Sequence, residues 1–351
     1  MKINNDQSYM SKWMSFKFDL KRASGHPFAY CMNRFKWYNY PRMQYLARFP
    51  DHVDIEISSA CNMKCPMCYT ITDEFKAKIK RSLMDFDLYT KMIDECASYG
   101  TYSIRLSLRG EPFLHKDIVR MIQYAKEKGI KEVSTLTNNL ALTPELFEKC
   151  MKAGLDWLTI SFDGLGETYE WIRQPAKFDD SYNKIKEYHA IKKRTHNLKP
   201  VIKVQTVWPA IKDCAGEYYE AFAPYVDDIA INPLVDYLHN DEDIDYVDNF
   251  VCPVLYQRLV IGSDGIALLC SNDEFNMLPA GDANKESLYS IWHGKVMNEV
   301  RLLHKKHRGV ETLEPCRHCY LPRKTQPVLE DIGGKKIVVE KYINRPDEVG
   351  K

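Results

Sequence analysis

The sequence predicts an α/β fold whose main domain is a partial (β/α)6 barrel, followed by a small C-terminal module. Two observations support this class. Strand patterns and helix patterns alternate from about residue 51 to residue 240, and the alternation stops after residue 240. The 351 residues exceed the usual size of one domain, so a large domain with additions is expected.

The barrel is predicted from six strand patterns that are separated by helical patterns. Three of these helices end at glycines, namely Gly100, Gly129 and Gly154. Strands separated by helices pair in parallel through right-handed crossovers. Six strands are too few for a complete eight-stranded barrel, so an open barrel is expected. The predicted strands lie at 53–57, 102–108, 132–137, 155–162, 201–208 and 228–234.

The C-terminal module begins after an acidic linker, HNDEDIDYVDN. The segment RLVIGSDGIALLC predicts a hairpin that turns at Ser263, Asp264 and Gly265, and one helix is expected over residues 287–306. The predicted domains are an N-terminal extension (1–50), the barrel (51–240), the module (241–325) and a polar C-terminal tail (326–351).

Composition and charge exclude several classes of protein. Lys and Arg total 49 against 48 Asp and Glu, so the formal net charge is +1 and gives no global reason to expect binding to nucleic acid or an anionic membrane. No run of 18 apolar residues could span a bilayer, and the N-terminus lacks the apolar core of a signal peptide. We therefore expect a cytoplasmic protein whose 11 cysteines are reduced thiols or metal ligands.

The N-terminal extension combines nine basic residues and twelve aromatic residues with only Asp6 and Asp19 as acids. This pattern is typical of a surface that meets an anionic partner, such as a phosphate, a nucleotide-linked substrate, RNA or a membrane. The alternative is an extension that packs its aromatic rings on the main domain and leaves its Lys and Arg in water.

Three cysteines directly after the first strand, Cys61, Cys65 and Cys68, carry the main chemical signal. In a β/α barrel, the loop after a strand opens on the face where active sites are assembled. Three thiolates can hold three irons of a 4Fe–4S cluster, which leaves the fourth iron open to a ligand. A zinc site is the alternative, although no nearby His or fourth Cys completes a structural zinc site.

The pattern Cys-x3-Cys-x2-Cys, followed by Tyr69 after the first strand of a partial barrel, resembles the radical SAM superfamily. The resemblance implies that the open iron binds the amino and carboxylate groups of S-adenosylmethionine (SAM). One electron then cleaves SAM to methionine and a 5′-deoxyadenosyl radical, which removes a hydrogen atom from the substrate. It also implies a flavodoxin or ferredoxin as the electron donor.

A second motif, Gly110-Glu111-Pro112, resembles the Gly-Gly-Glu-Pro sequence that receives the SAM ammonium, with Arg109 in place of the first glycine. Glu111 offers a charge-assisted acceptor to a cation, and Gly110 allows close approach of the backbone. The resemblance implies further SAM contacts in the loops that follow the strands. These contacts are Tyr69, Thr137, Asn138, Ser161, Asp163 and Arg173.

The module contains four more cysteines, Cys252, Cys270, Cys316 and Cys319. Four thiolates can saturate a second 4Fe–4S cluster that is closed to substrate and suited to electron transfer. The intervening GDANKESLYSIWHGKVMNEVR resembles the linking helix of SPASM and twitch domains, which implies one auxiliary cluster. A four-cysteine zinc site is the alternative.

The resemblance implies oxidation of a secondary alcohol on a sugar-like or aminocyclitol substrate, because this cysteine layout is similar to that of the aminocyclitol dehydrogenases. The first alternative is a carbohydrate epimerase, in which Cys31 or Cys214 would return a hydrogen atom. The second alternative is maturation of a ribosomal peptide. A third is a non-catalytic iron–sulfur protein that transfers electrons. The partner is expected to be a small molecule rather than nucleic acid, and the catalytic residues are not identified.

Overall fold

The computed structural model describes residues 7–8, 12–332, 335–345 and 348–349. Lys2, which was counted among the basic residues above, lies outside the described residues. Within them, no helix has the length and apolar character needed to cross a bilayer.

The central sheet has ten strands, six of which run parallel in chain order from β2 to β7. These six strands confirm the predicted partial barrel. A separate two-stranded sheet lies near the C-terminus. The strands are β1 (Gln7–Ser8), β2 (His52–Ile55), β3 (Ser103–Arg105), β4 (Glu132–Thr137), β5 (Trp157–Ser161), β6 (Val201–Val207), β7 (Asp228–Asn232), β8 (Arg258–Ile261), β9 (Ile266–Leu268), β10 (Gly281–Asp282), β11 (Thr325–Ile332) and β12 (Lys335–Tyr342).

Helices connect successive strands, and the predicted glycine stops are present. Gly100 and Gly154 end helices in the left-handed conformation, and Thr143 caps the start of another helix by accepting from Leu146 N. The helices are α1 (Lys12–Ala23), α2 (Pro27–Met43), α3 (Asp73–Lys78), α4 (Phe86–Tyr99), α5 (Ile118–Glu127), α6 (Pro144–Ala153), α7 (Gly166–Ile172), α8 (Phe178–Arg194), α9 (Ala215–Phe222), α10 (Val254–Gln257), α11 (Leu288–Trp292), α12 (Lys295–Lys305), α13 (Gly309–Thr312) and α14 (Glu314–Arg317).

The core lies between the sheet and its helices. Ile104 and Leu158 on the strands are fully buried, as are Ile122 and Phe147 on α5 and α6, and all four belong to one apolar cluster. Removal of this apolar surface from water is the main stabilising contribution, and it places the loops after the strands on a rigid base.

The N-terminal extension covers the end of the barrel at which the strands begin. Trp37 on α2 packs edge-on against His52 at the start of β2, with ring centroids 5.8 Å apart. Phe18 on α1 packs edge-on against Trp157 at the start of β5, with centroids 5.5 Å apart. The extension therefore lies opposite the barrel mouth, where the strands end.

Basic residues also attach the extension to the barrel. Arg22 donates two hydrogen bonds, of 3.0 and 2.9 Å, to the Glu132 carboxylate, and both side chains are buried. Lys21 pairs with Asp227 just before β7. The extension packs on the main domain, as one of the two interpretations expected, but these basic side chains are directed inward rather than into water.

The predicted module hairpin continues the barrel sheet. Strand β8 pairs in parallel with β2, and β9 pairs antiparallel with β8. The turn contains Gly265 at a φ of +85°, a conformation that favours glycine. Because β8 extends the same sheet, the module is held directly beside the first barrel strand.

Two predictions about the C-terminal third are wrong. The helix expected over 287–306 is two helices, α11 and α12, because Gly294 between them has an extended backbone. The segment 326–351, expected to be a polar tail, instead contains the hairpin β11–β12, which pairs from Thr325 with Tyr342 to Ile332 with Lys335. Both strands contain β-branched residues, and a Gly-Gly pair separates them in the sequence, which is the hairpin signal that was missed.

Candidate active site

Cys61, Cys65 and Cys68, here called the barrel cysteines, lie together in the loop after β2. Cys65 is buried, and the other two are half-buried. Burial raises the pKa of the Cys65 thiol to about 11, with contributions from the neighbouring Cys68 and Cys61 and against the opposing charge of Arg173. Burial also raises the pKa of Cys61, again with a contribution from Cys68. These mutual effects show that the three thiols share one small region of the loop.

Each barrel cysteine has a polar partner that could stabilise a negatively charged sulfur. The Asn138 amide donates to Cys61 Sγ at 3.7 Å, and the Arg173 guanidinium donates to Cys65 Sγ at 3.8 Å. Cys68 Sγ lies 3.0 Å from Thr70 Oγ1. Hydrogen bonds to cluster sulfurs and nearby cations favour thiolate ligands. The surroundings of the trio therefore fit an iron–sulfur cluster.

Gly110 brings the loop after β3 directly against the segment that leads into the cysteines. A Cβ atom at this position would lie 2.4 Å from Ser58 O and 2.5 Å from Ala60 O, which are impossible contacts. The Glu111 N–H donates to Ala60 O at 2.8 Å. Glycine is required here because two backbones touch, and this contact places the Glu111 side chain beside the barrel cysteines.

Glu111 is buried and accepts three hydrogen bonds. Thr137 Oγ1 donates at 2.8 Å, the Asn138 N–H at 2.7 Å and the Phe113 N–H at 3.1 Å. Burial nevertheless raises the pKa of Glu111 to about 7, and the donors and Arg173 oppose this rise. Thr137 and Asn138, both predicted SAM contacts, therefore position the carboxylate of Glu111. A cation bound beside it would favour its ionised form.

Asp163 and Arg173 are engaged with each other. Arg173 Nε donates to Asp163 Oδ2 at 2.7 Å, and the Val207 N–H donates to Asp163 Oδ1 at 2.9 Å. Burial alone would lower the pKa of Arg173, but the Asp163 charge raises it above its ordinary value. Ser161 Oγ accepts from Gln205 at 3.3 Å. Contact of Ser161 and Asp163 with a ribose, and of Arg173 with the SAM carboxylate, stays a prediction.

Cys252, Cys270, Cys316 and Cys319, here called the module cysteines, also come together. Burial raises the pKa of Cys270 well above its ordinary value, and each of the other three thiols adds to this rise. The Leu321 N–H donates to Cys319 Sγ at 3.4 Å. Within the described residues, no group of three or more Cys, His, Asp or Glu side chains surrounds a single-ion position.

An aromatic and acidic layer lies between the two cysteine sets. The Tyr69 ring packs on Tyr237 and Phe275, with centroids 5.5 and 6.1 Å away, and its hydroxyl pKa is raised by burial and by Glu274 and Cys68. The charge of Glu274 also raises the pKa of the Cys319 thiol. Burial raises the pKa of Glu274 to about 8, with a further rise from Asp273 that Arg109 opposes.

Glu274 was not among the residues predicted from the sequence, although its position four residues after Cys270 was the available signal. Arg109 also has partners that its sequence context did not predict. Arg109 Nε donates to Glu56 Oε1 at 2.7 Å, and its Nη1 donates to Glu274 O at 3.3 Å. Glu56 in turn accepts from the Ser263 N–H at 3.1 Å. This buried ion pair ties the Glu111 loop to the module.

Family models match both parts of this arrangement. Residues 55–211 match the radical SAM superfamily, and residues 252–320 match the iron–sulfur cluster-binding SPASM domain. The chain therefore contains a radical SAM domain followed by a SPASM domain. The two matched segments contain all seven cysteines of the barrel and module sets.

Curated relatives of this radical SAM protein match over only part of their length. Fe-coproporphyrin III synthase of Methanosarcina barkeri is 33% identical over a segment that makes up 32% of this chain and 27% of the synthase. A probable GTP 3′,8-cyclase of Methanococcus maripaludis is 32% identical over a segment that makes up 32% of this chain and 36% of the cyclase. The chain therefore spans about a third of these relatives.

Solved structures share the radical SAM fold over a larger part of the chain. BtrN in complex with AdoMet and 2-DOIA has a TM-score of 0.55 at 18% identity. The match covers 78% of this chain and 93% of the BtrN chain. SuiB of Streptococcus suis bound to S-adenosylmethionine has a TM-score of 0.56 at 13% identity. The match covers 88% of this chain and 83% of the SuiB chain. At these identities the likeness shows the fold.

The radical SAM domain binds SAM and a 4Fe–4S cluster, and the SPASM domain binds further iron–sulfur clusters. We infer that the barrel cysteines hold the first cluster, because hydrogen-bond donors face their sulfurs. We infer that the module cysteines hold one auxiliary cluster, because four buried or half-buried thiols meet there. We infer that Glu111, with its three donors, accepts from a cationic ligand of the first site.

SAM binding is expected to strengthen with pH through Glu111. Its pKa of about 7 is raised from 4.5, so the carboxyl is mostly neutral below this pH and ionised above it. Because only the ionised form attracts a cation, SAM affinity should rise about tenfold between about pH 6 and pH 8. Glu111→Gln should bind SAM weakly and without this rise, as measured by equilibrium binding to the reconstituted protein.

The matched control for this prediction is Glu148→Gln, because Glu148 is half-buried on the outer side of α6 and pairs with Lys152 and Arg194. Its pH profile should follow the wild type. Equal pH dependence in wild type and Glu111→Gln would show that Glu111 does not contact SAM.

Proposed function

We propose that this protein is a radical SAM oxidoreductase that converts a secondary alcohol of a sugar-like or aminocyclitol substrate to a ketone. The reaction removes two electrons and two protons from the substrate. When bound, SAM and the two clusters supply a hydrogen-abstracting radical and an acceptor for one electron. A flavodoxin or ferredoxin supplies the electron that starts each turnover.

The observation that carries this proposal is the set of module cysteines. Four thiols meet in one place and account for the cysteines of the matched SPASM segment. Cys96 and Cys150 lie fully buried in barrel helices. Four protein ligands leave no iron open to substrate, so a fully ligated cluster is suited to accept an electron rather than to bind substrate. Abstraction of a hydrogen atom removes the first electron from the substrate. A single cluster that accepts the second electron therefore completes a two-electron oxidation.

The layer between the two cysteine sets supports a polar substrate. Tyr69, Tyr237 and Glu274 provide two hydroxyls and one carboxyl in this layer. A carboxyl with a pKa of about 8 can exchange a proton with a substrate hydroxyl near neutral pH. Arg109 fixes the backbone of this layer through Glu274 O.

The solved structures support two substrate classes. BtrN is described in complex with AdoMet and 2-DOIA, and 93% of its chain is covered. SuiB is described bound to the precursor peptide SuiA, with 76% of that chain covered. We favour the small molecule, because the single set of four module cysteines suits one auxiliary cluster.

The position of the free thiols also favours a dehydrogenase over an epimerase. An epimerase needs a thiol near the substrate to return hydrogen. Cys31 lies on the exposed face of α2, at the end of the barrel opposite the mouth, which does not suit the hydrogen donor that the epimerase alternative requires. Cys214, half-buried just before α9 and beyond the end of β6, is the remaining candidate thiol.

The proposal predicts transfer of deuterium from the carbinol carbon of a labelled sugar or aminocyclitol to 5′-deoxyadenosine. One SAM should be consumed for each ketone formed, as measured by mass spectrometry of both products. Cys214→Ala should retain turnover, as should the matched control Cys31→Ala. If Cys214→Ala stalls after hydrogen abstraction and solvent deuterium enters the wild-type product at carbon, the protein is an epimerase. Label transfer from a peptide but from no carbohydrate would identify a peptide maturase.

A further inference from the structure

The outer face of α2 is apolar, although it faces solvent. Phe28, Met32, Phe35 and Met43 are 80%, 41%, 53% and 67% exposed. Their spacings of four, three and eight residues place them along one side of the helix. A surface helix normally directs its apolar side to the core and its polar side to water. We call this row of four side chains the α2 ridge.

The inner side of α2 is held firmly against the barrel. Asn33 is buried and donates to Asp51 at 2.6 Å. Trp37 lies between His52 and the Arg258 guanidinium, which is 4.8 Å from its ring centroid. The ridge is therefore directed outward by contacts that fix the helix, and it projects as a convex row rather than as the wall of a groove.

The exposed charges beside the ridge are positive. Helix α2 has no acidic residue in its sequence, and of its three basic residues Lys36 pairs with Asp51 and Arg34 lies over the Tyr30 and Trp37 rings, which leaves Arg42 beside the ridge. Arg42 and Arg48, which follows the helix, are exposed. Association of two copies through this surface would bring like charges together, so an anionic partner fits the charges better.

A cavity of about 520 Å³ lies beside the C-terminal half of α2. Lys36, Tyr40, Tyr45, Arg48, Asp51 and Tyr99 are among its lining residues. Asp51 pairs with Lys36 at 2.7 Å and offsets its charge, whereas the Arg48 guanidinium lies 5.4 Å from the centroid of the Tyr99 ring. Arg48 is therefore the cation of this cavity that would meet a phosphate group, beside the tyrosine hydroxyls.

We propose that the α2 ridge docks this protein on an anionic lipid bilayer. The ridge side chains enter the boundary between headgroups and acyl chains, and the adjacent cavity receives a lipid phosphate. Helices with large apolar side chains and basic flanks bind membranes in this interfacial manner. Because the extension covers the barrel end opposite the mouth, docking leaves the active site open to solution. This inference does not depend on the proposed reaction.

The test is co-sedimentation of the full chain with vesicles of phosphatidylcholine alone or mixed with phosphatidylglycerol. We expect binding to the mixed vesicles, weakening with added salt, and about tenfold weaker binding by F28S/F35S. A charge variant, R42E/R48E, should also bind more weakly. The matched control is L302S, because Leu302 is 50% exposed on α12 and lies outside the ridge.

Three outcomes would overturn the proposal. The wild type could remain unbound by both kinds of vesicle. F28S/F35S and L302S could bind equally. Alternatively, sedimentation velocity could show a wild-type dimer that F28S/F35S converts to a monomer, which would identify the ridge as an interface between two copies.

Discussion

Replacement of Cys61, Cys65 or Cys68 by alanine is expected to abolish SAM cleavage. The three thiols are the candidate ligands of the first cluster, and each has a hydrogen-bonding neighbour suited to a charged sulfur. With two ligands, the cluster is not held and SAM has no iron to bind. The measurement is 5′-deoxyadenosine formed by the reduced, reconstituted protein, and the expected result is a loss to background.

Metal analysis of the same variants tests the second site. The module cysteines are unchanged in them, so about half of the wild-type iron and sulfide should remain. Cys31→Ala is the matched control, because Cys31 is exposed on α2 far from both sets, and it should keep full activity. Wild-type SAM cleavage by any variant of the trio would refute the assignment. Zinc without iron in these variants would show that the module binds zinc.

Loss of the buried Glu56–Arg109 pair is expected to be the largest effect on stability outside the cysteines. Both side chains are at most 3% exposed. Glu56 also accepts from the Ser263 N–H and hydroxyl at 3.1 and 3.3 Å. Glu56→Gln leaves the Arg109 charge buried without its counterion, which costs about 3–5 kcal/mol. Urea unfolding of the apo protein measures this free energy.

The control for this prediction is Glu74→Gln, which removes an ion pair with Lys78 on the exposed surface of α3. Exposed pairs add little to stability, so the free energy of unfolding should barely change. Glu56→Met combined with Arg109→Met should be more stable than Glu56→Gln, because it leaves no unpaired buried charge. Equal unfolding free energies for Glu56→Gln and Glu74→Gln would contradict the prediction.

The barrel was predictable because short patterns along the chain indicate its strands and helices. Apolar strands, helices that end at Gly100 and Gly154, and their alternation each depend on neighbouring residues in the chain. The errors arose where a weak local signal was overlooked. Gly294 interrupts the helix expected over 287–306, and the β-branched residues on both sides of a Gly-Gly pair were missed in the segment taken as a tail.

The candidate site was predictable only in part. The barrel cysteines and Glu111 stand out in the sequence because their spacing and motif are short and local. The pairing of Asp163 with Arg173 joins residues ten positions apart, on either side of α7, whereas separate roles were predicted for them from the sequence. Glu274 and Tyr237 could not be placed, because their approach to Tyr69 depends on how the segments after β7 fold back on the loop that follows β2.

The sequence by itself determined the fold class, the family resemblance and the two groups of cysteines, because each depends on periodicity or on spacing within short segments. Tertiary structure alone decided the rest. It showed that β8 joins the sheet beside β2, that Arg109 pairs with Glu56 between barrel and module, and that the α2 ridge faces outward. These features depend on contacts between residues far apart in the chain, and no local pattern encodes which buried charges meet or which helix side stays exposed.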